Sequence, residues 1–518
     1  MNVLLFSMPD SFEHTPPLAM RMPNGALASL AGNVDPHHRV AIADLVLVQS
    51  HVPQTVERLV REIAPDVVGL SVMTFQRHTA RKVAALVRTL RPQATIVVGG
   101  YDPSLASHLY EAPDVDVDVI VRGEGDATFR DLLRALESGG DLRGIPGLSF
   151  REGGTFVRNP ARAVSHLGED VRPPNRAARV LTGYTLLGRP IDIVETSRGC
   201  TYDCSFCSII EMRGRNFHTW SLERVIADIA DAKSRGARAV FLVDDNITLN
   251  VARFKALCQA IIDAGHDDID YVVQGMTSAI ASSGAELASL MSRAGFRYVF
   301  LGIENVLDED LAFLKAKAKN VQREGGRSVG SATLTAVSLL HQHGMLVVGG
   351  LIVGSPDDTK ASIEANLDFA RKYVDWPYIQ HPTPYPGTPM TKDFVERNLI
   401  VNDAVEEYDG TTAVVRTEHL SAEDVEFMRW QAERWMKVRH MPDALAHDTW
   451  FVLTHWYQML RHTFRGTTLR TWLGLESTRD AFRRYKAIRR REREFFPPAG
   501  PRTGRDASAS PTLAHGRV

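Results

Sequence analysis

The sequence predicts an α/β chain in three parts: a doubly wound parallel sheet, an incomplete (β/α)6 barrel and a helical carboxyl-terminal region. Two successive runs of short apolar segments alternate with helix-length amphipathic ones, which predicts the first two parts, because parallel strands need crossovers of that length. From about residue 418 the pattern turns continuously helical and tryptophans gather, which predicts the third. The expected boundaries are 1–140, a hairpin and linker over 141–189, a barrel over 190–400, helices over 401–496 and a disordered tail over 497–518.

In the first run the strands are "VLLF" (3–6), "RVAIADL" (39–45), "VVGLSV" (67–72), "TIVVGG" (95–100) and "VDVIVRGEG" (117–125). Between them, "VPQTVERLVREIAP" and "RHTARKVAALVRTLRP" carry helical periodicity. Ligands of such sheets settle at the carboxyl ends of the strands. Ser71, Thr74, Gly99, Gly100, Tyr101, Asp102, Gly123, Glu124 and Gly125 fall there and are the candidate binding residues. The first strand is followed by "SMPDSFEHTPP" rather than G-x-G-x-x-G, which argues against a nicotinamide or flavin dinucleotide. "GIPGLSFREGG" and "VRPPNRAARV" read as a hairpin and a junction.

The second run begins at "PIDIVETSRGC" (190–200) and continues through "ARAVFLVDDN", "DYVVQGM", "FRYVFLGIEN" and "MLVVGGLIVGSP". Polar residues collect at its strand ends, where a barrel of this kind places its chemistry. Asp244 and Asp245 are neighbours on a strand and point to opposite faces, so at most one faces a site. "HPTPYPGTPM" (381–390) follows as a stiff loop whose Tyr385, Gly387 and Thr388 are candidates for a substrate entrance.

Composition narrows the function. The 518 residues carry a formal net charge of −2, so no global positive field draws the chain to nucleic acid. No apolar stretch is long enough to span a bilayer, and "MNVLLFSMPD" lacks the basic leader and cleavage site of a secretory signal. Four cysteines, three of them clustered, argue for metal binding in a reducing cytosol rather than a disulfide scaffold. The expectation is a soluble cytoplasmic protein.

Cys200, Cys204 and Cys207 form C-x3-C-x2-C. Structural zinc takes four protein ligands, usually in paired knuckles, and neither Cys258 nor a nearby histidine completes such a set, although zinc remains an alternative. Three thiolates suit a 4Fe-4S cluster with one iron left open for substrate. Cys258, on the amphipathic "RFKALCQAII", is expected in the core.

The cysteine motif, with Phe206 before its last member, resembles the signature of the radical S-adenosylmethionine superfamily. The resemblance implies a 4Fe-4S cluster on Cys200, Cys204 and Cys207 whose open iron chelates S-adenosylmethionine and cleaves it to a 5'-deoxyadenosyl radical. It further implies cofactor contacts for Phe206, Asp244, Gln274 and Glu304, with Gly350 and Gly354 near the adenine. The first domain resembles a cobalamin-binding domain. "DPHHRV" imitates part of that family's D-x-H-x-x-G, but Val40 replaces the glycine and the segment leads into the wrong strand, while His14 lacks the rest of the motif. Both sets read as surface or loop residues, so cobalamin is expected without a histidine below the cobalt.

Over about residues 1–400 the chain therefore resembles the cobalamin-dependent radical S-adenosylmethionine enzymes. That implies a methyltransferase: one S-adenosylmethionine methylates the corrinoid, a second yields the radical that abstracts hydrogen from unactivated carbon, and the carbon takes the methyl group. Alternatives are a non-methylating radical enzyme performing cyclisation, ring contraction or oxidation, and a non-catalytic corrinoid or iron-sulfur carrier. The implied partners are a small-molecule or lipid substrate and a reducing donor such as flavodoxin or ferredoxin. The basic stretch 479–493, with Arg479, Arg483, Arg484, Lys486, Arg489, Arg490, Arg491 and Arg493, could lie on an anionic membrane.

Overall fold

The computed structural model describes residues 1–14, 16–164, 170–324 and 327–496; the tail expected to be disordered, 497–518, lies outside them. The first sheet runs in the order Arg39–Asp44, Asn2–Ser7, Val67–Ser71, Thr95–Gly99 and Val119–Val121, all parallel. Alternate side chains of these apolar strands enter two cores. Leu4, Phe6, Val68, Leu70, Ile96 and Val98 pack under the helices Val52–Ile63 and Arg77–Leu90. Val3, Leu5, Val67 and Val97 meet the helices Gly25–Asn33 and Gly125–Ser138 on the other face. The strand order reverses at Asn2–Ser7, which opens a crevice at the carboxyl ends.

The hairpin within 141–190 is part of this sheet. Leu148–Glu152 pairs antiparallel with Val119–Val121, and Thr155–Arg158 continues the edge across a Gly153–Gly154 turn with φ of 56° and 87°.

In the second sheet Arg189–Val194, Ala239–Leu242, Asp270–Met276, Phe296–Glu304, Leu346–Ile352 and Trp376–Gln380 pair in chain order, all parallel. The first and last do not meet, so the barrel stays open. Trp376–Gln380 had no clear signal because Pro377 interrupts it; proline is tolerated there because the strand is an edge. The short strands Thr185–Leu186 and Met20–Arg21 extend the opposite edge, so the loop after the first strand of the first sheet crosses to the second.

That loop is anchored by Asp10, whose Oδ1 accepts from Thr79 Oγ1 and whose carbonyl accepts from Gln76 Nε2. Burial raises the Asp10 carboxyl to about 7. Its unfolded value is near 3.8, so between those limits the folded chain holds a proton that the unfolded chain has lost, and stability falls as pH rises through the window. Asp10→Asn keeps the acceptor and removes the titration. Urea melts are expected to show the variant equal to the parent near pH 4 and more stable at pH 8, by as much as about 4 kcal/mol.

The helix Thr478–Glu492 turns most of its cations onto acids of the protein, while Arg483 and Arg491 stay exposed. Lys486 pairs with Glu426 at 2.9 Å, Arg489 with Asp409 at 2.7 Å and Arg490 with Glu407 at 2.7 Å; Arg493 also reaches Asp409. Arg479 and Arg484 bind Asp424 and Glu476. The basic run is therefore largely an intramolecular clamp on the segment after the barrel. Most of the acids it meets, Glu13 and those between 407 and 426, lie too far along the chain for local charge counting to pair them.

Candidate active site

The cysteine loop leaves the first barrel strand and is held by the end of the second. Asp244 accepts from Thr196 N at 2.6 Å and from the Thr196 and Ser197 hydroxyls, and burial raises its carboxyl. Asp245 Oδ2 accepts from Gly199 N at 2.7 Å and meets Arg213 at 3.2 Å. Asn246 Nδ2 reaches Cys200 Sγ at 3.7 Å and Met276 Sδ at 3.2 Å. Asp244 is 2% exposed and faces the loop backbone, so its place is beneath the cysteines rather than against a cofactor.

Gly199 has φ +90°, and a Cβ there would lie 2.4 Å from Asn216 Oδ1 and 2.5 Å from its carbonyl oxygen. Gly199→Ala therefore combines left-handed backbone strain with a backbone clash. We expect a loss of about 3 kcal/mol in thermal or chemical melts, together with lower iron content after reconstitution.

Cys200 and Cys204 are buried and Cys207 half-buried, and all three are free thiols. Burial pushes the Cys207 thiol up to about 12 and also raises Cys204. Such thiols shed their protons to a metal rather than to water. Among the described residues, only His37, His38 and Glu137 bring three potential ligand atoms within 4.8 Å of one another. A donor set of three free thiols within one loop fits a polynuclear cluster, in which each thiolate takes a different iron. Cys258 is fully buried on the helix Val251–Asp263, away from this set.

Across the loop stands a pair that spacing did not disclose. Glu304, at the end of the fourth barrel strand, has φ +60° and is 8% exposed; its Oε1 lies 3.2 Å from Lys319 Nζ. The Lys319 ammonium also stands 5.8 Å from the Phe206 ring centre, and Glu304, Cys204 and Cys207 all hold it charged against the cost of burial. A glutamate kept in the left-handed region marks a position the surroundings over-determine. "GIEN" pointed to Glu304, but "KAKAKN" offered three lysines with nothing to choose among them.

Gln274 is half-buried on the third barrel strand, paired in register with Phe300. Gly350 and Gly354 owe their identity to neighbours in the protein. A Cβ at Gly350 would meet Phe300 Cζ at 2.8 Å, and at Gly354, with φ +101°, Val425 Cγ1 at 2.8 Å. Thr388 is buried and caps the helix Pro389–Glu396 by accepting from Thr391 N, which leaves Tyr385 and Gly387 as the accessible members of that loop.

The carboxyl ends of the first sheet floor a cavity of about 440 Å3. Ser71, Gly99, Gly100, Tyr101, Gly123, Glu124 and Gly125 line it, while Thr74 and Asp102 do not. Asp102 is fully buried, bidentate to Arg77 at 2.6 and 2.7 Å and bonded to Tyr110 Oη at 2.6 Å. It joins the helix start to the sheet and is not a ligand residue. Gly100, at φ +107°, has no room for a Cβ because Val72 O would lie 2.8 Å away.

The opposite wall comes from the barrel domain, with Glu195, Arg198, Arg213, Trp220 and Arg224, none of them flagged by sequence. The helix Tyr101–Leu105 packs on the helix Ile209–Arg213 that directly follows Cys207. The glycine-floored cavity and the cysteine loop are therefore adjacent. His14 is not a surface residue: it is buried against Glu433 and the Tyr378 ring, and His38 is buried beside the Met1 amine at the amino end of the sheet.

Residues 14–133 match the B12 binding domain model and residues 194–370 the Radical SAM superfamily model. An uncharacterised methyltransferase of Pyrococcus horikoshii is 27% identical over 427 residues, 82% of this chain and 90% of that protein. The anaerobic magnesium-protoporphyrin IX monomethyl ester cyclase of Cereibacter sphaeroides is 27% identical over 401 residues, and the match spans 74% of this chain but only 60% of that protein. The radical S-adenosylmethionine methyltransferase TsrM of Kitasatospora setae, solved with cobalamin and a [4Fe-4S] cluster, superposes with a TM-score of 0.60 at 22% identity, over 77% of this chain and 75% of that one.

Proposed function

This chain belongs to the cobalamin-dependent radical S-adenosylmethionine enzymes, and from that premise we propose that it transfers a methyl group to an unactivated carbon of a small, partly apolar molecule. The observation that carries the proposal is the packing of Tyr101–Leu105 against Ile209–Arg213, which sets the glycine-floored cavity beside the three thiols.

When bound, the cluster supplies an electron, S-adenosylmethionine the hydrogen-abstracting radical and the methyl group, and the corrinoid the carrier for that methyl group. The protein's share is position and charge. Cys200, Cys204 and Cys207 would hold three irons and leave the fourth open. Glu304 and Lys319 present opposite charges side by side in a buried place, a pair suited to the amino and carboxylate groups of an amino acid. Phe206 and the apolar cluster around Phe394 shield the cluster side from water. Ser71, Gly99, Gly100, Gly123 and Gly125 would let a corrinoid tail approach the sheet, and Tyr101 would stand between the two cofactors.

A cytoplasmic site with flavodoxin or ferredoxin as electron donor belongs to the same proposal; the four free cysteines support a reducing compartment. No described helix is long and apolar enough to cross a membrane.

The cyclase relative keeps a non-methylating reaction as the second reading. Anaerobic turnover with labelled S-adenosylmethionine separates the two. Methyl transfer yields S-adenosylhomocysteine and 5'-deoxyadenosine together with labelled product. Formation of 5'-deoxyadenosine alone during substrate loss would establish the second reading, and formation of neither would leave a carrier.

A further inference from the structure

The helix Thr449–Thr463 is apolar on two opposite faces. One face, through Phe451, Val452 and Met459, packs on Leu187, Tyr298, Leu346 and Trp376 beneath the barrel. The other, through Trp450, Leu453, Trp456 and Tyr457, points outward, with Trp450 79% exposed. A helix that is apolar all round is normally covered on every side. The exposed stripe continues on the following segment in Leu469, Trp472, Leu473 and Leu475. Trp435 and Phe464 join it to the preceding helix through ring contacts with Trp472 at 6.3 and 5.3 Å. An apolar patch of this extent marks an interaction surface.

Charge and residue type select the occupant. From Thr449 to Leu475 there is no Asp or Glu; Arg465 is paired with Glu13 and Glu492 and Arg470 with Glu476, which leaves Arg461 as the cation this stretch offers. Arg461 is exposed and has no ion pair among the described residues. Tryptophan, tyrosine and leucine beside an unpaired arginine, on a stretch with no acid of its own, is the composition of a segment lying at a bilayer interface, where aromatic rings sit at headgroup depth and arginine meets lipid phosphate. We propose that this surface, residues 449–475 with Trp435, seats the protein on anionic phospholipid. The proposal stands independently of the reaction assigned above and replaces the basic helix 479–493 as the contact.

The test is co-sedimentation of the holoenzyme with vesicles of phosphatidylcholine containing phosphatidylglycerol, followed in parallel by tryptophan emission. The parent is expected to bind, with a blue-shifted emission, and to bind pure phosphatidylcholine more weakly. The double variant Trp450→Glu, Trp456→Glu should bind at least about tenfold more weakly while keeping the parent's circular dichroism and cluster absorbance. Should that variant misfold, Leu473→Glu on the adjoining segment carries the same expectation. Failure of the parent to bind anionic vesicles overturns the proposal. A parent dimer that the same substitutions dissociate overturns it too, because a second copy would then cover the face.

Discussion

Cys204→Ala is expected to reduce 5'-deoxyadenosine formation to background and to remove the charge-transfer absorbance of the reconstituted cluster, with little cost to the fold. Two thiols cannot hold a cubane of which three irons need protein ligands. The substitution deletes one sulfur from a position that is 5% exposed, so the packing loss is small beside the loss of function. Cys204 also has Lys319 beside it, and removing the thiolate leaves that ammonium to Glu304 and Cys207. The measurement is iron and sulfide content with anaerobic turnover. Retention of a full cluster would show that another residue completes the ligand set and would refute the three-thiol reading.

Arg198→Met is expected to cost about 3–5 kcal/mol and to weaken corrinoid retention, because this one side chain binds the two domains together. Its Nη1 donates to Asp126 of the first domain at 2.6 Å and its Nε to both oxygens of Glu195 at 2.8 and 2.9 Å; Ser29 Oγ lies 3.4 Å from Nη2. Arg198 is 5% exposed and Asp126 6% exposed. The guanidinium lowers the Asp126 carboxyl against the opposing effect of burial. Without it the Asp126 carboxylate remains buried with its cation gone, which is the expensive way to break such a pair. Urea melts and equilibrium dialysis of cobalamin measure the two effects. The double variant Arg198→Met, Asp126→Leu should recover part of the stability, since it removes the orphaned charge. A single variant as stable as the parent would mean that the domains are held elsewhere.

How much was legible follows the range of the interactions. Cys200, Cys204 and Cys207 sit within eight residues, so their spacing carries their chemistry wherever the chain folds. Glycines after successive strands were readable for the same reason: a strand end and the turn beyond it are neighbours in sequence. Asp102 and Asp244 looked like ligands by that local rule, yet each is consumed by a partner brought in from elsewhere: Arg77 lies 25 residues away and Thr196 lies 48.

The sequence by itself determined the α/β order of the two domains, the three-thiol motif and the absence of a bilayer-spanning stretch, because each depends on local periodicity or spacing. Only the tertiary structure chose Lys319 among three lysines, turned the basic helix inward onto Asp409, Glu407 and Glu426, joined the hairpin at 148–158 to the first sheet and laid Tyr101 beside the cysteine loop. Those outcomes depend on which buried charges and strand edges find one another across long stretches of chain, and burial, unlike spacing, is a property of the assembled fold.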